Sequence, residues 1–112
     1  MVLCLNISYF DQNEDFSSCL PIDCWGSVER QMKFSDSEGP WYLVALNKPV
    51  SYEGTSYTRF LLMSRWADYP IGGNDPTSVF ILLVPPTAEP ASSDSLKQFV
   101  HVAWGMVSAR SA

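Results

Sequence analysis

The sequence predicts an α+β fold, with a four- to five-stranded, mostly antiparallel curved sheet and one C-terminal helix packed on it. Three observations support this prediction. Several segments alternate apolar and polar residues with the period of two that is typical of a half-buried strand. Polar connections containing Gly and Pro separate them, which favours an antiparallel meander. The C-terminal segment repeats its apolar residues with helical spacing instead.

The chain has 112 residues, which is the length of one domain, so residues 1–112 are expected to fold as a single unit. Hydrophobic residues make up 46% of it, enough to build a core without a metal or a disulfide. Charged residues make up only 17%, which excludes an intrinsically disordered chain.

The first half of the chain contains three predicted strands. Residues 2–10 alternate apolar and polar side chains, and the acidic stretch 11–24, which contains a proline, is predicted to be a loop. Residues 25–34 alternate again. Residues 41–47 are apolar at nearly every position, which indicates a strand buried on both faces.

The second half adds two more predicted strands. Residues 48–56 contain a proline and a glycine and are predicted to connect to the longest strand candidate, 57–66. A loop over 67–77 leads into the unbroken apolar run 78–84, which Pro85-Pro86 ends.

The helix prediction depends on the spacing of apolar residues near the C-terminus. The stripe consists of Leu96, Phe99, Val100, Ala103, Trp104 and Val107. Ser95 followed by Gln98 three residues later fits a capping box at its start. Val102 and Gly105 are less favourable in a helix, and the residues around them also fit a strand.

The net charge of −5 lies entirely in the first third of the chain. Residues 1–40 hold seven acids and two bases, whereas residues 41–112 hold five of each. An acidic chain lacks the cations that phosphate binding needs, so we expect no nucleic-acid partner. Clustered acids attract a basic protein, and Glu14, Asp15 and Asp23 are the predicted partner-binding residues. The alternative is that these acids only keep the protein soluble.

Three arginines occur on strand faces that are otherwise apolar, where a buried charge needs a partner. With nearby aromatic residues they predict a small-ligand pocket. Its predicted ligand-binding residues are Arg30, Arg59, Arg65, Tyr57 and Trp66. The alternative is that the arginines pair with internal carboxylates such as Glu53 or Asp68, or reach solvent at a sheet edge.

The strand 57–66 is apolar on both faces, with Phe60 and Leu62 on one and Leu61 and Met63 on the other. One short helix covers only one face of such a sheet. A loop, a ligand or another subunit is therefore expected on the second face, which is our reason for predicting a homo-oligomer or a protein partner.

The residues that carry catalytic or metal chemistry form no recognisable motif. Cys4, Cys19 and Cys24 have no C-x-x-C spacing, and His101 is the sole histidine. We therefore predict no catalytic residue, no metal and no cofactor. A cysteine-dependent enzyme, which needs a thiol of lowered pKa, is a third possibility.

The N-terminal segment has no basic leader, and no run approaches the roughly 18 apolar residues of a membrane span, so the sequence predicts a cytoplasmic protein without membrane contact. The predicted function is a small acidic interaction protein of the binding or inhibitor type that self-associates. The alternative is a small-molecule-binding α+β barrel with an aromatic and arginine-lined pocket and possible enzymatic activity.

Overall fold

The protein is a closed antiparallel β-barrel of six strands. The computed structural model describes residues 4–9, 24–34, 40–64, 77–87 and 99–109. The strands are β1 (Cys4–Tyr9), β2 (Trp25–Met32), β3 (Trp41–Tyr52), β4 (Thr55–Ser64), β5 (Thr77–Leu83) and β6 (Val100–Ala109). Each strand pairs with the next along the chain, and β6 pairs with β1 to close the barrel.

The predicted α+β class is wrong, because the described residues contain no helix and the segment expected to be one is β6. This strand pairs with β5 on one side and β1 on the other, and both ladders would lose their hydrogen bonds if it were helical. Tertiary pairing therefore overrides a local pattern whose valines and Gly105 had already fitted a strand.

A β-bulge explains why β6 has helical spacing in its sequence. Ile81 lies opposite Ala103 but Leu82 lies opposite His101, so Val102 is an extra residue. The bulge shifts the alternation by one position. Val100, Ala103, Gly105 and Val107 lie opposite inner residues of β5 and β1. Because Gly105 has no side chain, the apolar residues of this set are three and four positions apart, which is also the spacing of one helix face.

Apolar side chains from β1, β3, β4, β5 and β6 fill the barrel interior and form an inner cluster. Eleven of its members are less than 6% exposed: Leu5, Ile7, Cys24, Val44, Val50, Phe60, Leu62, Val79, Ile81, Leu83 and Val107. In a barrel of eight strands the interior is just wide enough for side chains to fill it. The interior of a six-stranded barrel is narrower still.

Two glycines relieve the crowding in this small barrel. A Cβ atom on Gly105 would lie 2.6 Å from the carbonyl oxygen of Ser8 and 2.7 Å from Cδ1 of Ile81. On Gly26 it would overlap Cγ1 of Val44. At both glycines the added Cβ atom would lie closer to its neighbours than van der Waals contact allows, so neither position has room for a side chain.

The outer face of the barrel wall carries a second, outer cluster. It consists of Met32, Phe34, Trp41, Leu43, Leu61, Leu82, Val84 and Phe99. Leu43, Leu61 and Leu82 lie opposite one another on β3, β4 and β5. The edge-to-face rings of Phe34 and Phe99, 5.6 Å apart, join the end of β2 to the start of β6 within this cluster.

The outer cluster bears directly on the prediction of self-association. Leu43 and Leu61 are fully buried in the single chain. The second apolar face of the sheet is therefore covered without another subunit, and the argument for a homo-oligomer from that face no longer applies. Self-association stays a prediction that needs a different surface.

A long hairpin joins β3 and β4. Glu53 and Gly54 have φ angles of 49° and 82°, and positive φ at both turn residues is what a type I′ turn requires. Between Ala45 and Val50 the register with β4 shifts, since Leu46–Pro49 lie opposite Thr58 alone. This bulge accommodates Pro49 inside a strand and explains why residues 48–56 had the composition of a connection.

The hairpin marks one end of the barrel, which we call the hairpin end. β1, β3 and β5 finish there, and the other three strands begin there. Val50 and Tyr57 belong to the inner cluster, and partly buried Tyr52 packs against it. These three side chains of the hairpin therefore pack over the interior at this end.

Candidate functional site

The charged residues of the barrel wall lie beside a β-bulge in β2. Val28 lies opposite Val44 and Arg30 opposite Leu43, so Glu29 is the extra residue. Leu43 belongs to the outer cluster, which places its neighbour Arg30 on the outer face as well. Glu29 and Arg30 are both exposed. The bulge thus presents two consecutive side chains to the outside of the wall.

Arg59 of β4 forms a bidentate ion pair with Glu29. Its Nε donates to Oε2 at 2.9 Å and its Nη2 donates to Oε1 at 3.0 Å. The two side chains are 25% and 33% exposed, so the pair is partly desolvated. This geometry matches the two nitrogens of a guanidinium group to the two oxygens of a carboxylate. Arg59 is therefore paired with an internal carboxylate, that of Glu29, which the sequence did not suggest, whereas Asp68 lies outside the described residues.

The described members of the predicted ligand set lie on both sides of the barrel wall. Arg30 and Arg59 are on the outer face, whereas Tyr57 is 7% exposed and belongs to the inner cluster. Arg65 and Trp66 lie outside the described residues. The structure therefore does not bring Tyr57 together with either arginine in an enclosed pocket.

The predicted partner-binding acids Glu14, Asp15 and Asp23 also lie outside the described residues. They belong to the connection between β1 and β2, which leaves the barrel after Tyr9 and returns to it at Cys24. Both of these residues are at the hairpin end, because Ile7 donates a backbone hydrogen bond to Cys24 and β3 finishes beside the start of β2.

Most acids of this protein lie between the strands instead of within them. The described residues hold four bases, Arg30, Lys33, Lys48 and Arg59, and two acids, Glu29 and Glu53. The remaining ten of the twelve acids belong to other parts of the sequence. The described residues therefore carry a net charge of +2, and the negative net charge of the chain comes from the other segments.

The described part of the hairpin end presents polar groups to solvent. Lys48, Ser51, Glu53, Ser56 and Thr58 are exposed. The bulge that precedes them is tied to β2, because the backbone N–H of Trp25 donates to Oδ1 of Asn47 at 3.2 Å. The hairpin is thus held at its base and exposed at its tip.

Cysteine and histidine form no candidate centre within the described residues. Cys24 is buried and Cys4 is partly buried, and both are free thiols. Cys4 Sγ lies 3.8 Å from Oγ of Ser27. Among the described residues there is no group of three or more metal-ligating side chains, and no helix long and apolar enough to cross a membrane. Cys19 lies outside the described residues.

No family model, curated protein or solved structure matches this chain. The interpretation of its function therefore depends on its own geometry and charge.

Sequence reasoning missed Glu29 as the partner of Arg59. Strict alternation along residues 25–34 places Glu29 and Arg30 on opposite faces, and only the bulge puts both of them outside. The bulged segment contains no glycine or proline that could have marked the irregularity.

Proposed function

We propose that this protein is a non-enzymatic binding protein that engages a basic segment of a protein partner with the hairpin end of its barrel. The observation that carries this proposal is the unequal charge of the segments attached to the two ends of the barrel. The described wall offers less to a partner, because the members of the inner and outer clusters are buried and the charge of Arg59 is matched by Glu29.

The two connections at the hairpin end, together with the hairpin segment 48–58, contain seven acids and two bases, a net charge of −5. The acids are Asp11, Glu14, Asp15, Asp23, Glu53, Glu89 and Asp94, and the bases are Lys48 and Lys97. The segments attached to the opposite end contain four acids and three bases, a net charge of −1. They are Asp36, Glu38, Asp68 and Asp75 with Lys33, Arg65 and Arg110.

This difference supports a directional attraction for a cationic partner. A concentration of one sign of charge speeds association by long-range steering, and salt screens it within about 8–10 Å at physiological strength. A binding reaction that uses the hairpin end therefore weakens steeply as salt increases.

The experiment compares charge reversals at the two ends. The variant E14K/D15K/D23K and the matched control D36K/E38K/D68K change the net charge equally, by six units. A fluorescein-labelled ten-lysine peptide serves as the probe, and fluorescence anisotropy measures its dissociation constant at increasing NaCl concentrations.

We expect the first variant to weaken binding at least tenfold more than the control, and added NaCl to weaken wild-type binding. Equal losses in the two variants would show that total charge alone matters and would overturn the assignment to the hairpin end. A dissociation constant that does not change with NaCl concentration would overturn the electrostatic basis of the proposal.

We also propose that the protein is cytoplasmic. The free thiols of Cys4 and Cys24 support a reducing compartment. The test is maleimide labelling of acid-quenched cells expressing the protein, which counts reduced cysteines after denaturation. Three labelled cysteines are expected, and an oxidised pair would contradict the proposal.

A further inference from the structure

The start of β4 extends beyond its neighbour β5 at the hairpin end. The last residue pair between them is Phe60 opposite Leu83, followed by one hydrogen bond from the N–H of Val84 to the carbonyl of Arg59 at 3.2 Å. The segment Thr55–Thr58, which we call the β4 edge, pairs with β3 on one side only among the strands that the structure describes.

Two prolines explain why β5 stops short of this edge. Pro85 and Pro86 directly follow Val84, and neither has an N–H group to donate to a ladder. β5 therefore cannot continue along β4, and beside the hairpin β4 has no second neighbour among the described strands.

The backbone groups of Ser56 point out of the hairpin. In a hairpin with a two-residue turn, the residues that flank the turn, here Tyr52 and Thr55, exchange hydrogen bonds. The next pair, Ser51 and Ser56, is of the non-hydrogen-bonded type, so its N–H and C=O groups are directed away from the partner strand. Ser56 and Thr58 are both exposed, and none of the strands that the structure describes pairs with this edge.

The opposite edge of the hairpin, along β3, is less suited to pairing. Pro49 lacks an N–H group, and Lys48 beside it carries an exposed charge. Proline and lysine are the residues with which natural sheets block edge pairing. The β4 edge contains neither, and its sequence Thr-Ser-Tyr-Thr is favourable for a strand.

We propose that the β4 edge binds an extended, lysine- or arginine-rich segment of the partner as an added antiparallel or parallel strand. This inference rests on the proposed function and specifies the conformation of the bound segment. Main-chain hydrogen bonds supply the docking, as in other cases of strand addition. The segments attached to this end hold seven acids, which favour a cationic strand and oppose pairing with a second copy of this chain, whose own segments carry the same charge.

The first test compares two peptide probes on the wild-type protein. One is a capped heptapeptide of alternating lysine and valine that begins and ends with lysine. The other has proline in place of each valine, which keeps the charge but favours a polyproline conformation that forms no ladder. We expect the valine peptide to bind at least tenfold more tightly, measured by isothermal titration calorimetry.

The second test uses matched proline variants of the protein. Ser56→Pro removes the N–H of the β4 edge, whereas Ser51→Pro makes the same change on the other edge, and neither removes a bond between β3 and β4. We expect Ser56→Pro to weaken binding of the valine peptide at least tenfold and Ser51→Pro to change it less than twofold. Far-UV circular dichroism and a urea midpoint check the fold of both variants.

The outcomes separate this inference from the proposed function. Equal binding of the two peptides, weakened by E14K/D15K/D23K, would overturn strand addition and leave the electrostatic site standing. If Ser56→Pro weakens binding of the valine peptide and E14K/D15K/D23K does not, the electrostatic site would be overturned and strand addition would stand. Concentration-dependent self-association that Ser56→Pro abolishes would replace the peptide with a second copy and overturn the inference. The peptide comparison needs no variant, so it holds even if a proline variant unfolds.

Discussion

The guanidinium group of Arg59 in β4 binds the carboxylate of Glu29 in β2 across the whole width of β3, with hydrogen bonds of 2.9 and 3.0 Å. The two strands are not neighbours, so this pair links three strands on the outer face of the barrel. The bulge at Glu29 makes the contact possible, because it brings one more side chain to that face than regular alternation provides.

We expect a favourable but small coupling between these two side chains. Partly exposed ion pairs contribute about 0.5–1 kcal/mol, and the bidentate geometry places this one near the upper value. A double-mutant cycle with Glu29→Gln and Arg59→Met, measured by urea unfolding, isolates the coupling. It should decrease at 1 M NaCl, and additive single-mutant effects at low salt would contradict the structure.

Gly105→Ala should destabilise the protein by about 3 kcal/mol. The added methyl group would meet the backbone carbonyl of Ser8, which cannot move without disturbing β1. Gly54→Ala is the comparison, because a Cβ atom there would meet no other atom and only the φ of 82° is unfavourable for alanine. We expect this variant to lose about 1 kcal/mol of unfolding free energy. Urea midpoints measure both, and a Gly54 variant less stable than the Gly105 variant would show that the interior is not tightly packed.

Leu61→Ala and Leu62→Ala should each cost about 2–5 kcal/mol in unfolding free energy. The two residues are adjacent and fully buried, but Leu61 belongs to the outer cluster and Leu62 to the inner one. Thr58→Ala, at an exposed position of the same strand, should stay within about 0.5 kcal/mol. A Leu61 variant as stable as the Thr58 variant would show that the outer face is open in the single chain.

Glu53→Asn should stabilise the protein by about 0.5–1 kcal/mol. Glu53 has a φ of 49°, which costs a glutamate more than it costs an asparagine. Glu53→Gln removes the same charge without this conformational preference and is the matched control. Thermal unfolding should show a higher midpoint for the asparagine variant only, and equal midpoints would attribute any gain to charge.

The alternation of apolar residues located much of the strand content. β1, β2 and β5 lie within or almost within the segments predicted as strands at 2–10, 25–34 and 78–84. These strands have strong period-two or uniformly apolar patterns, and local composition is enough to identify them. The hairpin was less visible, because Pro49 indicates a break when read locally and its accommodation needs a bulge.

The C-terminal strand shows where local reasoning fails. Whether Val100–Ala109 forms a helix or a strand depends on the open edges of β1 and β5, which exist only once the barrel has formed. The candidate site shows a related limit. That Arg59 needed a partner followed from its neighbours in sequence, but the identity of Glu29 depended on a register shift in another strand.

Closure of the barrel by β6 is the central claim, because it fixes the two ends on which the proposed function depends. Nuclear Overhauser effects between backbone protons test it most directly. The structure predicts cross-strand contacts between β1 and β6, from Leu5 to Ala109, Ile7 to Val107 and Tyr9 to Gly105. Sequential amide–amide contacts of a helix through residues 96–107, with no contacts to β1, would contradict it.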